Sequence, residues 1–117
     1  VQNVPHHVTQ RGSRRQDVFF CDEDRLLYLS LLSDNARKYG VEFLSYCLMT
    51  NHVHHLAIPK ETDSLRWTLQ LTHQRYAEFV NCRNCWTGHL WQERFYSCAV
   101  DEDFLWTAIR YIERNPC

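Results

Sequence analysis

Two histidines one residue apart, His52 and His54, lie in the run Met49-Thr50-Asn51-His52-Val53-His54-His55-Leu56-Ala57-Ile58-Pro59. The run reads as a β-strand, and side chains alternate along a strand, so these two imidazoles share a face while His55 points to the other. Neutral imidazole is a common metal ligand, and a pair at i, i+2 can converge on one ion. On the strand alone two readings stand. The pair is half of a metal site, or it is two polar side chains satisfied by hydrogen bonds on a half-buried strand. The apolar flanks mean that either reading requires partners.

A second chemistry-bearing group lies near the end of the chain, in Arg110-Tyr111-Ile112-Glu113-Arg114-Asn115-Pro116. In a helix, Tyr111 and Asn115 are one turn apart and adjacent on the surface, with Arg110 and Arg114 continuing around on the solvent side. A tyrosine flanked by arginines suits a nucleophile beside a phosphate; ordinary boundary packing is the alternative. Cys82-Arg83-Asn84-Cys85 followed by His89 has metal-ligand spacing, but no second Cys or His pair completes a structural zinc pattern.

The elements that must position these groups follow from periodicity and punctuation. A first strand covers His6–Gln10 and ends at a turn holding Arg11, Arg14 and Arg15. Asp22 caps a helix running to about Tyr39, with Leu27, Tyr28, Leu31, Leu32 and Tyr39 on one arc. Gly40 stands where a left-handed stop belongs. A second strand, Val41–Leu48, turns at Thr50-Asn51 into the histidine strand. Thr62 or Asp63 caps a second helix whose apolar stripe is Leu65, Leu69, Thr72, Tyr76 and Phe79, fading near Asn81. Leu90–Val100 forms a fourth strand. A third helix begins at Asp101 or Asp103, and Asn115-Pro116 ends it. The class is therefore α+β, a ferredoxin-like split β-α-β-β-α-β antiparallel sheet with an added C-terminal helix.

The 117 residues suit a single domain, and three glycines and three prolines leave no long linker. Six cysteines are expected as reduced thiols, with Cys47 and Cys98 in apolar strands. The net charge of −1 does not by itself suggest a nucleic-acid partner. The charge is uneven, however. Arg11, Arg14 and Arg15 outweigh Asp17 in the first twenty residues, whereas Asp22-Glu23-Asp24 and Asp101-Glu102-Asp103 collect at helix starts. A near-neutral total can hide a basic face. No apolar run is long enough to span a membrane.

Four runs together carry a resemblance. His7-Val8-Thr9-Gln10-Arg11-Gly12-Ser13-Arg14-Arg15-Gln16, Tyr46-Cys47-Leu48-Met49-Thr50-Asn51-His52-Val53-His54, Leu90-Trp91-Gln92-Glu93-Arg94-Phe95-Tyr96 and Arg110–Pro116 are similar to the motifs of the REP-associated tyrosine transposases, in order and spacing. These belong to the single-tyrosine HUH endonucleases, with the transposases of small insertion sequences. The resemblance implies that His52, His54 and Asn115 hold a divalent ion, Mg²⁺ or Mn²⁺. It implies that Tyr111 attacks a phosphate of single-stranded DNA near a hairpin, leaving a 5′-phosphotyrosine and a 3′-hydroxyl. Thr50 stands where the family often has proline.

The expected partner is single-stranded DNA with a hairpin, contacted by Arg11, Arg14, Arg15, Arg94, Arg110 and Arg114, with stacking from among Trp91, Phe95 and Tyr96. About half of these aromatics must pack inward, and Trp67 and Trp86 fit either role. A covalent tyrosyl link conserves bond energy, so no nucleotide cofactor is expected, and no phosphate-binding glycine loop is present. The resemblance further implies a bacterial cytoplasmic, nucleoid-associated protein, monomeric or homodimeric. Residues 1–117 are expected to be one such domain, cut short at its C-terminus. The rival readings are a domesticated hairpin-binding protein without turnover and an RNA-binding domain of similar sheet topology.

Overall fold

The structure is a computed structural model that describes residues 2–92 and 94–100. The element order is β1 (His6–Arg11), a single 3-10 turn (Ser13–Arg15), α1 (Asp22–Tyr39), β2 (Val41–Leu48), β3 (His52–Pro59), α2 (Ser64–Asn84) and β4 (Tyr96–Ala99). Neighbouring strands pair antiparallel in the order β2-β3-β1-β4. This is the split β-α-β arrangement, in which β3 lies between the two strands that α1 connects. The added third helix falls outside the described residues.

Both helices pack on one face of the sheet. Val8, Val53, Ala57 and Leu48 from the strands meet Tyr28, Leu32 and Ala36 of α1 and Leu65, Leu69, Tyr76 and Val80 of α2 in one core. The expected α2 stripe ends differently: Val80 is buried, while Phe79 is exposed under the Arg83 guanidinium, 5.2 Å from its ring. The opposite sheet face carries a smaller cluster of Cys47 and Leu56 with Met49 and Val100.

Element ends depart from the sequence reading for local reasons. Cys21, not Asp22, is the N-cap of α1. The buried carboxylate there is Asp24, which accepts the Phe20 N–H at 2.9 Å and a two-pronged ion pair from Arg83 at 2.6 and 3.1 Å. That pair ties the start of α1 to the end of α2 and accompanies the continuation of α2 to Asn84, past the expected end near Asn81. Gly40 is left-handed, at φ 82°, as expected. Gly12 is held by close approach. A Cβ there would collide with the Gln16 carbonyl and sit 2.9 Å from Val18. The expected fourth strand is shorter than Leu90–Val100. Gly12 bridges to Trp91 and Thr9 pairs with Tyr96, so three steps along β1 face five along the other chain. Two extra residues are thus looped out of the ladder.

A polar chain crosses the core. The Tyr28 hydroxyl lies 2.8 Å from His55 Nε2 and 2.7 Å from His73 Nε2, all fully or nearly buried. One hydroxyl donates once, so it donates to one ring and accepts from the other, and the two imidazoles take opposite protonation at Nε2. Trp91 stacks on His73 with centroids 4.4 Å apart and donates its indole N–H to the His73 carbonyl at 3.1 Å.

Burial pushes both His55 and His73 down to about 3. Unfolded histidine titrates near 6.5, so between about pH 6.5 and 3 the unfolded chain binds protons that the folded chain refuses. Their contribution is fully present above 6.5 and is lost as the pH falls. The two rings together set a slope of roughly 3 kcal/mol per pH unit in that window. Urea unfolding from pH 7 to 4.5 is expected to show this fall, steepened further by the lowered His54, His52 and His7, and His73→Gln to flatten it by about a third or less.

Candidate functional site

The β-ladder decides which side chains meet. Directly opposed residues share a face, so His52 lies with Arg11, His54 with Thr9, and Leu56 with His7. On the flanking strands Cys47 opposes His54, Tyr96 opposes Thr9 and Cys98 opposes His7. These residues line the sheet face turned away from α1 and α2. His55 lies on the other face, buried against Tyr28 with its ring also edge-on to Phe43 at 5.4 Å. The expected split of His52 and His54 from His55 is therefore what the fold delivers.

Three imidazoles run in a row on that face. The rings of His52 and His54 are 4.8 Å apart between centroids and nearly perpendicular. His7 lies nearly parallel to His54 at 5.5 Å, with its Nε2 3.4 Å from His54 Nδ1. Asn51 Oδ1 lies 2.7 Å from His52 Nδ1. An amide oxygen only accepts, so His52 carries its proton on Nδ1 and its lone pair on Nε2. His54 has the same form when it donates Nδ1–H to His7. Two neighbouring Nε2 lone pairs are what a divalent ion requires of a histidine pair.

The electrostatics keep these rings neutral. Burial lowers His52, and Arg11 across the ladder lowers it further. His54 falls to about 4 through burial, then through His52, His7 and Arg11, and burial also lowers His7. The imidazoles are unprotonated near neutral pH and present lone pairs. Among the described residues no group of three His, Cys, Asp or Glu side chains is placed to hold an ion. An ion on this pair would need further ligands, such as oxygens from an amide, water or substrate.

The remaining sequence-derived residues fall into three sets. Tyr111, Asn115, Arg110 and Arg114 lie outside the described residues. Arg11 ends β1 beside His52 instead of sitting in the turn, because the ladder continues one residue beyond Gln10. Arg14, exposed and at φ 54°, and Arg15 form the 3-10 turn that follows. Arg94 is exposed in the looped-out segment. Of the aromatics, Trp91 is buried and Phe95 partly buried, whereas Tyr96 is 66% exposed and stands two strands from His54. Trp67 and Trp86 are both exposed, the latter edge-on to Phe20 at 5.8 Å. Cys82 and Cys85 are free and exposed at the end of α2, and Cys98, expected in an apolar environment, is exposed as well. His7 and Asn51 were not singled out as site residues by sequence reasoning. The alternation His7-x-Thr9-x-Arg11 on a strand that pairs with β3 was the signal for the first.

Comparison with known proteins bears on the fold and on the family. The family model described as IS200-like transposase matches residues 1–115. A solved REP-associated tyrosine transposase bound to a REP hairpin superposes with a TM-score of 0.81 at 15% identity, covering 99% of this chain and 68% of that one. A candidate transposase from Deinococcus radiodurans R1 superposes with a TM-score of 0.67 at 21% identity, covering 97% of this chain and 91% of that one. At these identities the two structures speak for the fold alone. No curated protein matches the chain. Among the described residues, no helix is long and apolar enough to cross a membrane. The family match spans nearly the whole chain and includes the histidine strand, so this chain belongs to the IS200-like transposase family.

Proposed function

We propose that this DNA transposase is a metal-dependent nickase and ligase of single-stranded DNA, acting beside a hairpin through Tyr111. The observation that carries the reading is the presentation of His52 and His54. Two neutral imidazoles lie side by side on one strand face, with Asn51 and His7 at their Nδ1 atoms. A solved relative of the same fold is bound to a REP hairpin, which supports hairpin DNA as the partner.

His52 and His54 would hold the ion through Nε2, with Asn115 completing the protein's share. Mg²⁺ or Mn²⁺ fits nitrogen and oxygen donors with places left for water and phosphate. Such an ion supplies charge stabilisation at a non-bridging phosphate oxygen. The chain's own part is nucleophilic. The Tyr111 hydroxyl oxygen forms a bond to phosphorus, the bond from phosphorus to the 3′-oxygen breaks, and that oxygen leaves as a 3′-hydroxyl carrying a proton. The 5′-phosphate remains on the tyrosine, and the reverse step joins strands without a nucleotide cofactor. Arg11, Arg14, Arg15 and Arg94, with Arg110 and Arg114 beside the nucleophile, supply guanidiniums for phosphates and base edges.

Two outcomes follow. Incubating the protein with labelled hairpin oligonucleotides and Mn²⁺ is expected to give an adduct stable on denaturing gels, absent for Tyr111→Phe. His52→Ala loses the adduct but keeps most hairpin binding. Binding without any adduct would favour the hairpin-binding protein lacking turnover. The second outcome concerns the imidazole supports. Asn51→Ala and His7→Ala are each expected to weaken Mn²⁺ affinity about tenfold or more by calorimetry. Their thermal unfolding should stay close to that of the parent. Unchanged affinity in both would remove the supporting role.

A further inference from the structure

Two exposed thiols close α2, in Cys82-Arg83-Asn84-Cys85, and neither takes part in the DNA chemistry proposed above. The helix ends in a nested pair of hydrogen bonds. Trp86 N–H donates to the Asn81 carbonyl at 2.9 Å, and Cys85 N–H donates to the Cys82 carbonyl at 3.4 Å. This pattern needs a left-handed residue directly after the helix, and glycine usually supplies it. At the end of α1 that residue is Gly40, at φ 82°. At the end of α2 it is Cys85, at φ 55°, where a β-carbon is disfavoured. The Cys85 side chain is exposed, so packing does not account for a thiol at this position. Asn84 Nδ2 donates to the Val80 carbonyl at 2.9 Å and Asn81 Nδ2 to the Gly88 carbonyl at 3.1 Å, which holds the turn in place.

The inner of the two hydrogen bonds joins the backbones of the cysteines themselves. Helical residues three apart have Cα atoms about 5 Å apart, inside the range of about 4.4–6.8 Å that a disulfide spans. Their Cβ atoms would draw in from about 5–6 Å to about 4 Å, a change confined to the last turn. Among the described residues no third His, Cys, Asp or Glu joins the two thiols in a group that could hold an ion. Pairing with each other is the chemistry that their spacing favours.

From this helix end we propose that Cys82 and Cys85 are a redox-modification site, at which a small-molecule disulfide such as oxidised glutathione generates an intramolecular disulfide that fastens the end of α2. One protein thiol exchanges with the oxidant, forming a mixed disulfide and releasing one small thiol. The other protein thiol then attacks the mixed disulfide at the protein sulfur and releases the second. The oxidant's S–S bond is lost, one S–S bond forms in the protein, and the two protein protons leave on the released thiols. Arg83 lies within the closed ring, so the link also fastens the residue that pairs with the buried Asp24 at the start of α1. The site is independent of the DNA reading.

The test equilibrates the full chain in glutathione buffers of rising oxidised fraction, blocks the remaining thiols by alkylation and weighs the tryptic peptides. The expected product joins the peptide ending at Arg83 to the one beginning at Asn84 through a disulfide, at an oxidised fraction where Cys21 and Cys98 are still alkylated. Cys82→Ser and Cys85→Ser are each expected to abolish the link. Amide exchange at Trp86, whose N–H closes the helix, should slow about threefold or more in the linked protein. Linkage of either residue to a different cysteine, mixed disulfides at both without a link, or thiols that stay alkylated throughout would each overturn the site. Exchange at Trp86 that is unchanged or faster in the linked protein would overturn the fastening.

Discussion

The constraint on which the structure depends is the alternation of β3 between two unlike environments. His55 is buried among the helices, its ring held by the Tyr28 hydroxyl at 2.8 Å. His52 and His54 must then face the other way. A slip of one residue would drive both of them into the core and turn Val53 and His55 outward. The buried side thus fixes the register, and the register presents the paired imidazoles. Gly12 and the Thr50-Asn51 turn brace the same end of the sheet. The Gly12 N–H donates to the Asn51 carbonyl at 2.8 Å, and Val18 N–H donates to the Thr50 carbonyl at 2.7 Å.

Desolvation serves the two faces differently. Under the helices it keeps His55 and His73 neutral, and a bridging tyrosine pairs with Nε2 of both rings, while His55 Nδ1 is buried without a hydrogen-bond partner. On the opposite face burial is only partial, and Arg11 adds to it by opposing protonation of its neighbours. A histidine pair in water would be partly protonated near pH 6.5 and would repel a cation. Here the lone pairs are maintained by the sheet and by the nearby guanidinium. Asn51 orients His52 by accepting from its Nδ1–H, and His7 lies at Nδ1 of His54, leaving Nε2 of that ring turned away from it.

Much of this was legible in the residues. Period-two and period-3.6 patterns gave the order of elements, Gly40 the end of α1, and His-x-His the shared face. The linked motifs extended the reading to Tyr111 and Asn115, which fall outside the described residues. What was not legible depended on partners distant in the chain. The extension of α2 to Asn84 accompanies Arg83 reaching the buried Asp24, fifty-nine positions away. The short β4 results from the looped-out residues, and nothing in the alternating run Leu90–Val100 announced them. His7 entered the site because β1 pairs with β3, a fact of register that strand propensity does not carry. Likewise, the burial of His55 became intelligible only when Tyr28 and His73 arrived from two different helices.

The central claim is that the sheet presents His52 and His54 as neutral rings with their lone pairs on Nε2. Long-range ¹⁵N–¹H spectra of the histidine side chains, recorded near neutral pH without added metal, test it most directly. The account predicts that both rings carry their proton on Nδ1, with Nε2 at the shift of an unprotonated nitrogen. A proton on Nε2 of either ring, or charged imidazolium at both, would contradict it.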